Sequence, residues 1–188
     1  MKKYLDDLNR FSAIILLIII IFLSLSNNIS INYAITYILS DKISNVFLKY
    51  VVFKNLLGDK KHPILGTGTR PPNAYNCGLF RDNFFNSAVK PKLATTYGFP
   101  SGHSQSAGYF MTFIHEHFSN NSLIYISSLL YSLYILYTRI ELNCHTYQQV
   151  IFGYLFGILT YYVFENIQKL INKIIYNIKN NKEINKNN

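Results

Sequence analysis

The chain has 188 residues, of which 49% are hydrophobic and only 14% charged, and its net charge is +9. So few charges exclude an ordinary soluble domain, where about 25% is usual. The basic excess does not read as a nucleic-acid surface either, because it gathers in the tail (Lys169, Lys173, Lys179, Lys182, Lys186) and in the loop between Lys54 and Lys92.

The apolar residues come in blocks. Residues 11–25 hold no charge and follow a basic start, Lys2-Lys3. A retained first span is expected there rather than a cleaved signal, because residues 24–30 offer no small-x-small cleavage site. A second apolar region, 31–57, carries Asp41-Lys42 in its middle, which is costly in lipid unless the pair faces protein or water. Either that helix is interrupted or the pair faces the bundle interior. Residues 58–99 form a polar loop punctuated by Gly66, Gly68, Pro71, Pro72, Gly78 and Pro91. A third helix should start at the N-cap Ser101 and run to about 118. A fourth spans about 122–139 and a fifth about 146–167. The expected fold is an all-α, polytopic membrane bundle of about five to six transmembrane helices. Residues 1–168 would form one membrane-embedded domain, and 169–188 a basic, flexible tail.

This connectivity brings Arg70, His103, Arg139 and His145 to one membrane face, and the residue types suit phosphate chemistry. Arginines fork onto two phosphate oxygens. Ser101, Gly102 and His103 open a helix, whose free N–H groups cradle an anion. One histidine can attack phosphorus while the other protonates the leaving group. His62, His115 and His117 lie outside this constellation.

Pro100-Ser101-Gly102-His103, Arg139-x5-His145 and Arg70-Pro71, in this order along the chain, resemble the type 2 phosphatidic acid phosphatases and their vanadium haloperoxidase relatives. That family carries K-x6-R-P, P-S-G-H and S-R-x5-H-x3-D motifs. The resemblance covers residues 50–165. It implies His145 as the nucleophile that forms a phosphohistidine, and His103 as the general acid. It implies Arg139, Arg70, Ser101 and Gly102 as phosphate-binding residues, and neither metal nor other cofactor. Carboxylates near the site are sparse, in keeping with that.

Thr138 stands where the third motif has serine, and two further departures matter more. Pro63 stands where the first-motif lysine belongs, which leaves Lys61 as the nearest candidate, with Lys60 and Lys54 as alternatives. Gln149 replaces the aspartate that orients the nucleophile; it keeps the i,i+4 spacing and can accept a hydrogen bond, but brings no negative charge. His145-Thr146-x-x-Gln149 and His103-x-Gln105 look like the dolichyl diphosphatase branch. The expected activity is hydrolysis of a lipid phosphate or a polyprenyl/dolichyl-type diphosphate at a bilayer. The alternatives are a silent lipid-binding relative and a headgroup phosphotransferase. The basic tail argues for a cytoplasmic C-terminus and a lumenal or extracytoplasmic site. Cys77 and Cys144 are expected as free thiols, with pairing as the alternative in an oxidising lumen.

Overall fold

The computed structural model describes residues 10–27, 29–58, 60–74, 77 and 97–184. The first apolar block folds as α1 (Ser12–Ser26). Its inner residues Leu16, Ile20 and Leu23 join a core with Phe110, Phe113 and Ile114, while Ile18 and Phe22 stay exposed on the outer side.

The second apolar region is helical without a break from 32 to 57. α2 (Asn32–Ile38), α3 (Asn45–Phe47) and α4 (Lys54–Leu57) alternate with π-helical turns at Leu39–Ser44 and Leu48–Phe53. At Asp41-Lys42 the helix widens into a π turn rather than breaking. Each π turn inserts a residue and re-aims the face that follows. Ser40, Asn45 and Lys49, polar residues in an apolar stretch, are buried as a result.

α5 (Gly102–Phe118) is the central helix, with Ser101 as its N-cap as expected. Nearly all of it is buried, including Gln105, whose Oε1 accepts from Asn45 Nδ2 at 2.8 Å and whose Nε2 donates to Ser44 Oγ at 2.7 Å and the Ser40 carbonyl at 3.0 Å. A buried amide of this kind is tolerated because its donors and acceptor all have partners. α6 (Ser122–Glu141) starts at Asn121, whose side chain accepts from the Ile124 N–H at 3.1 Å. α7 (Tyr147–Ile184) packs along α5 at backbone contact. A Cβ added at Gly108 would lie 2.1 Å from the Tyr154 carbonyl oxygen, and one at Gly157 would lie 2.1 Å from that of Gln105. Where lipid gives no hydrophobic drive between helices, such close approach supplies the packing.

Three expectations need correction. Among the described residues two helices, Ser122–Glu141 and Tyr147–Ile178, are long and apolar enough to cross a membrane, against the five to six expected. α1 is apolar but has only 15 residues, and α5 is an inward-facing helix of 17 residues that carries Ser104, Gln105, Ser106 and Thr112 on buried positions. The fifth helix does not end near 167: α7 continues to Ile184, through most of the segment expected to be a flexible tail. At 38 residues it is about 57 Å long, well beyond the ~30 Å of a bilayer core. Third, the bundle is not purely helical. β1 (Lys61–His62) and β2 (Gly66–Thr67) pair antiparallel, and Thr69 bridges Tyr97 just before α5. Lys92 and the rest of 78–96 lie outside the described residues.

Candidate active site

His145 sits in the turn between α6 and α7. Asn143 there takes a left-handed backbone (φ +52°), a conformation asparagine tolerates. The chain then folds back so that the Arg139 carbonyl accepts from the N–H groups of Cys144 (3.0 Å) and His145 (3.1 Å). The last turn of α6 therefore pins the histidine backbone, and Arg139 itself is buried.

The ring is oriented by Gln149. Thr146 and Gln149 form a capping box at the start of α7: the Gln149 N–H donates to Thr146 Oγ1 and the Thr146 N–H to Gln149 Oε1, both at 3.3 Å. The Gln149 Nε2 donates to the carbonyls of Thr67 (2.9 Å) and Thr69 (2.7 Å). Carbonyls only accept, so the amide cannot be turned over, and its oxygen must face His145. His145 Nδ1 lies 3.0 Å from that oxygen and must donate to it. The proton is thereby placed on Nδ1, and the lone pair is left on Nε2.

Arg70 meets that lone pair. Its Nη1 lies 2.8 Å from His145 Nε2 and donates to the Cys144 carbonyl, also at 2.8 Å. Gly98 allows the approach: a Cβ there would lie 2.7 Å from both the Arg70 Cγ and the Gln149 Oε1. The Gly68 carbonyl accepts from the N–H groups of Gly98 (2.8 Å) and Phe99 (3.2 Å), which lays the Arg70 segment along the entry to α5.

Ser101 joins the second motif to the third. Its N–H donates to the Gln149 carbonyl at 3.0 Å, and its hydroxyl accepts from Ser104 Oγ at 2.9 Å. It is fully buried. Gly102, at the first position of α5, faces Asn45, whose Oδ1 lies 3.2 Å from where a Cβ would stand. His103, in the same turn, has Nε2 3.3 Å from the Arg10 carbonyl oxygen.

The sequence points to Lys61 as the third cation, with Lys60 and Lys54 behind it. All three are exposed, and Lys61 lies on β1. Among the described residues, Lys49 is the lysine buried beside the site, four positions after Asn45. The signal was legible as Asn45 and Lys49 at i,i+4 in an otherwise apolar run. The Thr146-x-x-Gln149 capping box was equally legible.

Burial pushes the His145 imidazole well below its usual range, helped by the charges of Arg70, Lys49 and Arg139 and opposed by the hydrogen bond to Gln149. His145 is therefore neutral at neutral pH, with Nε2 able to act as a nucleophile. Burial also lowers Arg70 to about 10, which still leaves it cationic. Cys77 and Cys144 are joined in a disulfide, against the free thiols expected. In the chain-entropy picture, closing a loop of 67 residues constrains the unfolded chain by roughly 4 kcal/mol.

The sequence model of one family, described as PAP2 superfamily, matches residues 12–172. The chain belongs to the PAP2 superfamily. No curated protein and no solved structure matches it. PAP2 membership supports a phosphatase-type hydrolase, and the matched region contains Lys49, Arg70, Ser101, His103, Arg139, His145 and Gln149. The arrangement presents a neutral imidazole nitrogen within a field of fixed cations.

Proposed function

We propose that this PAP2 protein is a membrane lipid phosphatase, acting on a lipid phosphate or a polyprenyl/dolichyl-type diphosphate through a phosphohistidine at His145. The observation that carries the reading is the Nδ1–H bond to Gln149, which leaves Nε2 as the attacking atom. Arg70 covers that atom. An incoming phosphate gives Arg70 two oxygens to fork onto, and the nucleophile is uncovered as the substrate is clamped. Arg139 and Lys49 neutralise the remaining charge, and the start of α5 at Gly102 offers backbone donors. His145 Nε2 then bonds phosphorus as the ester oxygen leaves, and His103 gives that oxygen a proton. Water attacks the phosphohistidine, and His103 takes a proton back.

The charge on the phosphoryl group is met by side chains of the protein, so the reading requires no metal ion. A silent relative is disfavoured, because Gln149 is built into the capping box and the carbonyl contacts rather than left as a gap. The dolichyl-type substrate rests on the Gln105 and Gln149 resemblance.

Membrane embedding is supported by the outer stripe of α6, where Leu123, Ile126, Leu130, Leu133 and Tyr137 are all exposed. Disulfides persist in oxidising compartments, so Cys77–Cys144 favours an extracytoplasmic or lumenal site. The lysines at the far end of α7 then lie on the cytoplasmic side.

The test is phosphate release by the purified protein from phosphatidic acid, phosphatidylglycerol phosphate, farnesyl diphosphate and dolichyl diphosphate, with and without EDTA. Wild type should turn over at least one lipid in EDTA and trap labelled phosphate on His145. His145→Ala should lose at least about three orders of magnitude. Near-normal release by that variant, or an absolute requirement for Mg²⁺, would overturn the mechanism.

A further inference from the structure

We infer that the Cys77–Cys144 disulfide is a positioning clamp for the reaction: it holds the Arg70 segment against the nucleophile's turn, so that Arg70 and His145 keep their register. This inference rests on the phosphatase reading of the site.

The segment from Arg70 to Cys77 meets the 139–145 turn at three points. Arg70 Nη1 reaches the Cys144 carbonyl and the His145 ring, each at 2.8 Å. Asn143 Nδ2 donates to the Pro72 carbonyl at 2.8 Å. Cys77 closes the third point covalently, with its Cα 5.5 Å from that of Cys144. Cys144 is the residue immediately before His145, so the bond acts on the nucleophile's own backbone. The apolar support here is small. Ala74, Cys77 and Cys144 form a buried cluster of their own with Leu142 beside it, separate from the two aromatic-rich cores. With the bond broken, the hydrogen bonds from Arg70 and Asn143 and the Ala74 contact remain, and none of these is covalent. Arg70 must swing between His145 Nε2 and phosphate oxygens during turnover. A short tether allows that swing while keeping the guanidinium within reach.

The test compares wild type, Cys77→Ala/Cys144→Ala, Arg70→Ala, and the triple variant in detergent. One readout is kcat/KM on the lipid that wild type turns over. The other is the rate of carbethoxylation of His145 by diethyl pyrocarbonate, read by mass spectrometry, which needs no turnover. The clampless variant should lose about tenfold in kcat/KM, mostly as a raised KM, and its His145 should label severalfold faster as Arg70 leaves Nε2. In the Arg70→Ala background, loss of the clamp should add little to either change, because both act through the same contact. A folded clampless protein with wild-type kinetics and labelling would overturn the inference. So would an effect of equal size with and without Arg70. If the double variant does not fold, wild type treated with dithiothreitol replaces it. That dithiol is oxidised to its cyclic disulfide as Cys77 and Cys144 become thiols. Unfolding on reduction as well would make the bond a requirement of the fold and overturn the positioning role. If no lipid is turned over but labelling follows the expected pattern, the clamp stands and the phosphatase reading falls.

Discussion

His145 and Gln149 are joined by a hydrogen bond whose direction is set on the far side of the glutamine. Because Gln149 Nε2 is held by two backbone carbonyls, its oxygen has no choice but to accept from His145 Nδ1. A neutral residue thus does the orienting work expected of an aspartate, by geometry rather than by charge.

Gln149→Ala should therefore cost on the order of 10- to 100-fold in kcat, since it frees the ring and orphans buried partners worth about 1–3 kcal/mol. Gln149→Asp should also lose activity, because a carboxylate would face the Thr67 and Thr69 carbonyls with no donor to offer. It should at the same time move the acid limb of the pH profile upward, as the added charge favours the imidazolium. Steady-state kinetics between about pH 4 and 8 would check both. Unchanged rate and profile in Gln149→Ala would show that the residue serves only the helix cap.

The depressed basicity of His145 has a defined sign. The acid limb of kcat/KM should lie below the ordinary histidine value of about 6.5, since the free enzyme stays unprotonated at lower pH. Arg70→Ala removes one lowering charge, so that limb should rise, with weaker substrate binding. Folding follows the same linkage. Below about pH 6.5 the unfolded chain takes up a proton that buried His145 refuses, and stability falls as the pH drops. Thermal melts of wild type and His145→Ala across that window should diverge on the acid side.

Lys49 and Lys61 can be separated directly. Lys49→Met keeps the bulk and removes a buried charge beside His145, and should reduce kcat/KM by about 100-fold, the order seen when one stabilising donor is lost. Lys61→Ala, on the exposed hairpin, should stay within about twofold. The reverse ranking would return the third cation to the loop.

Gly157→Ala tests the α5–α7 contact. The new methyl would lie 2.1 Å from the Gln105 carbonyl oxygen and 2.7 Å from the Tyr109 amide nitrogen, both backbone atoms. The helices must separate, at a cost of about 1–3 kcal/mol or more. Those two helices carry Ser101 and Gln149, whose backbones are bonded to each other, so activity should fall together with the melting temperature. A stable, fully active Gly157→Ala would mean that the helices have slack.

Much of this protein could be read from the chain alone, and the readable part is local. The Ser101 cap, the helix start it opens, the Arg139-to-His145 turn and the uncharged blocks that became α1, α6 and the first part of α7 each depend on residues a few positions apart. Capping and hydrophobic runs carry their meaning at that range. The tertiary structure decided the features set by residues far apart in sequence. Arg70 lies on His145, 75 positions away. Among the described residues, Lys49 is buried while Lys54, Lys60 and Lys61 are exposed, because the π turns re-aim one face of the 32–57 segment. Cys77 meets Cys144 across 67 residues. Which of several lysines is buried, and whether the two thiols meet, is settled by packing between distant segments, and no spacing rule in the sequence encodes either outcome.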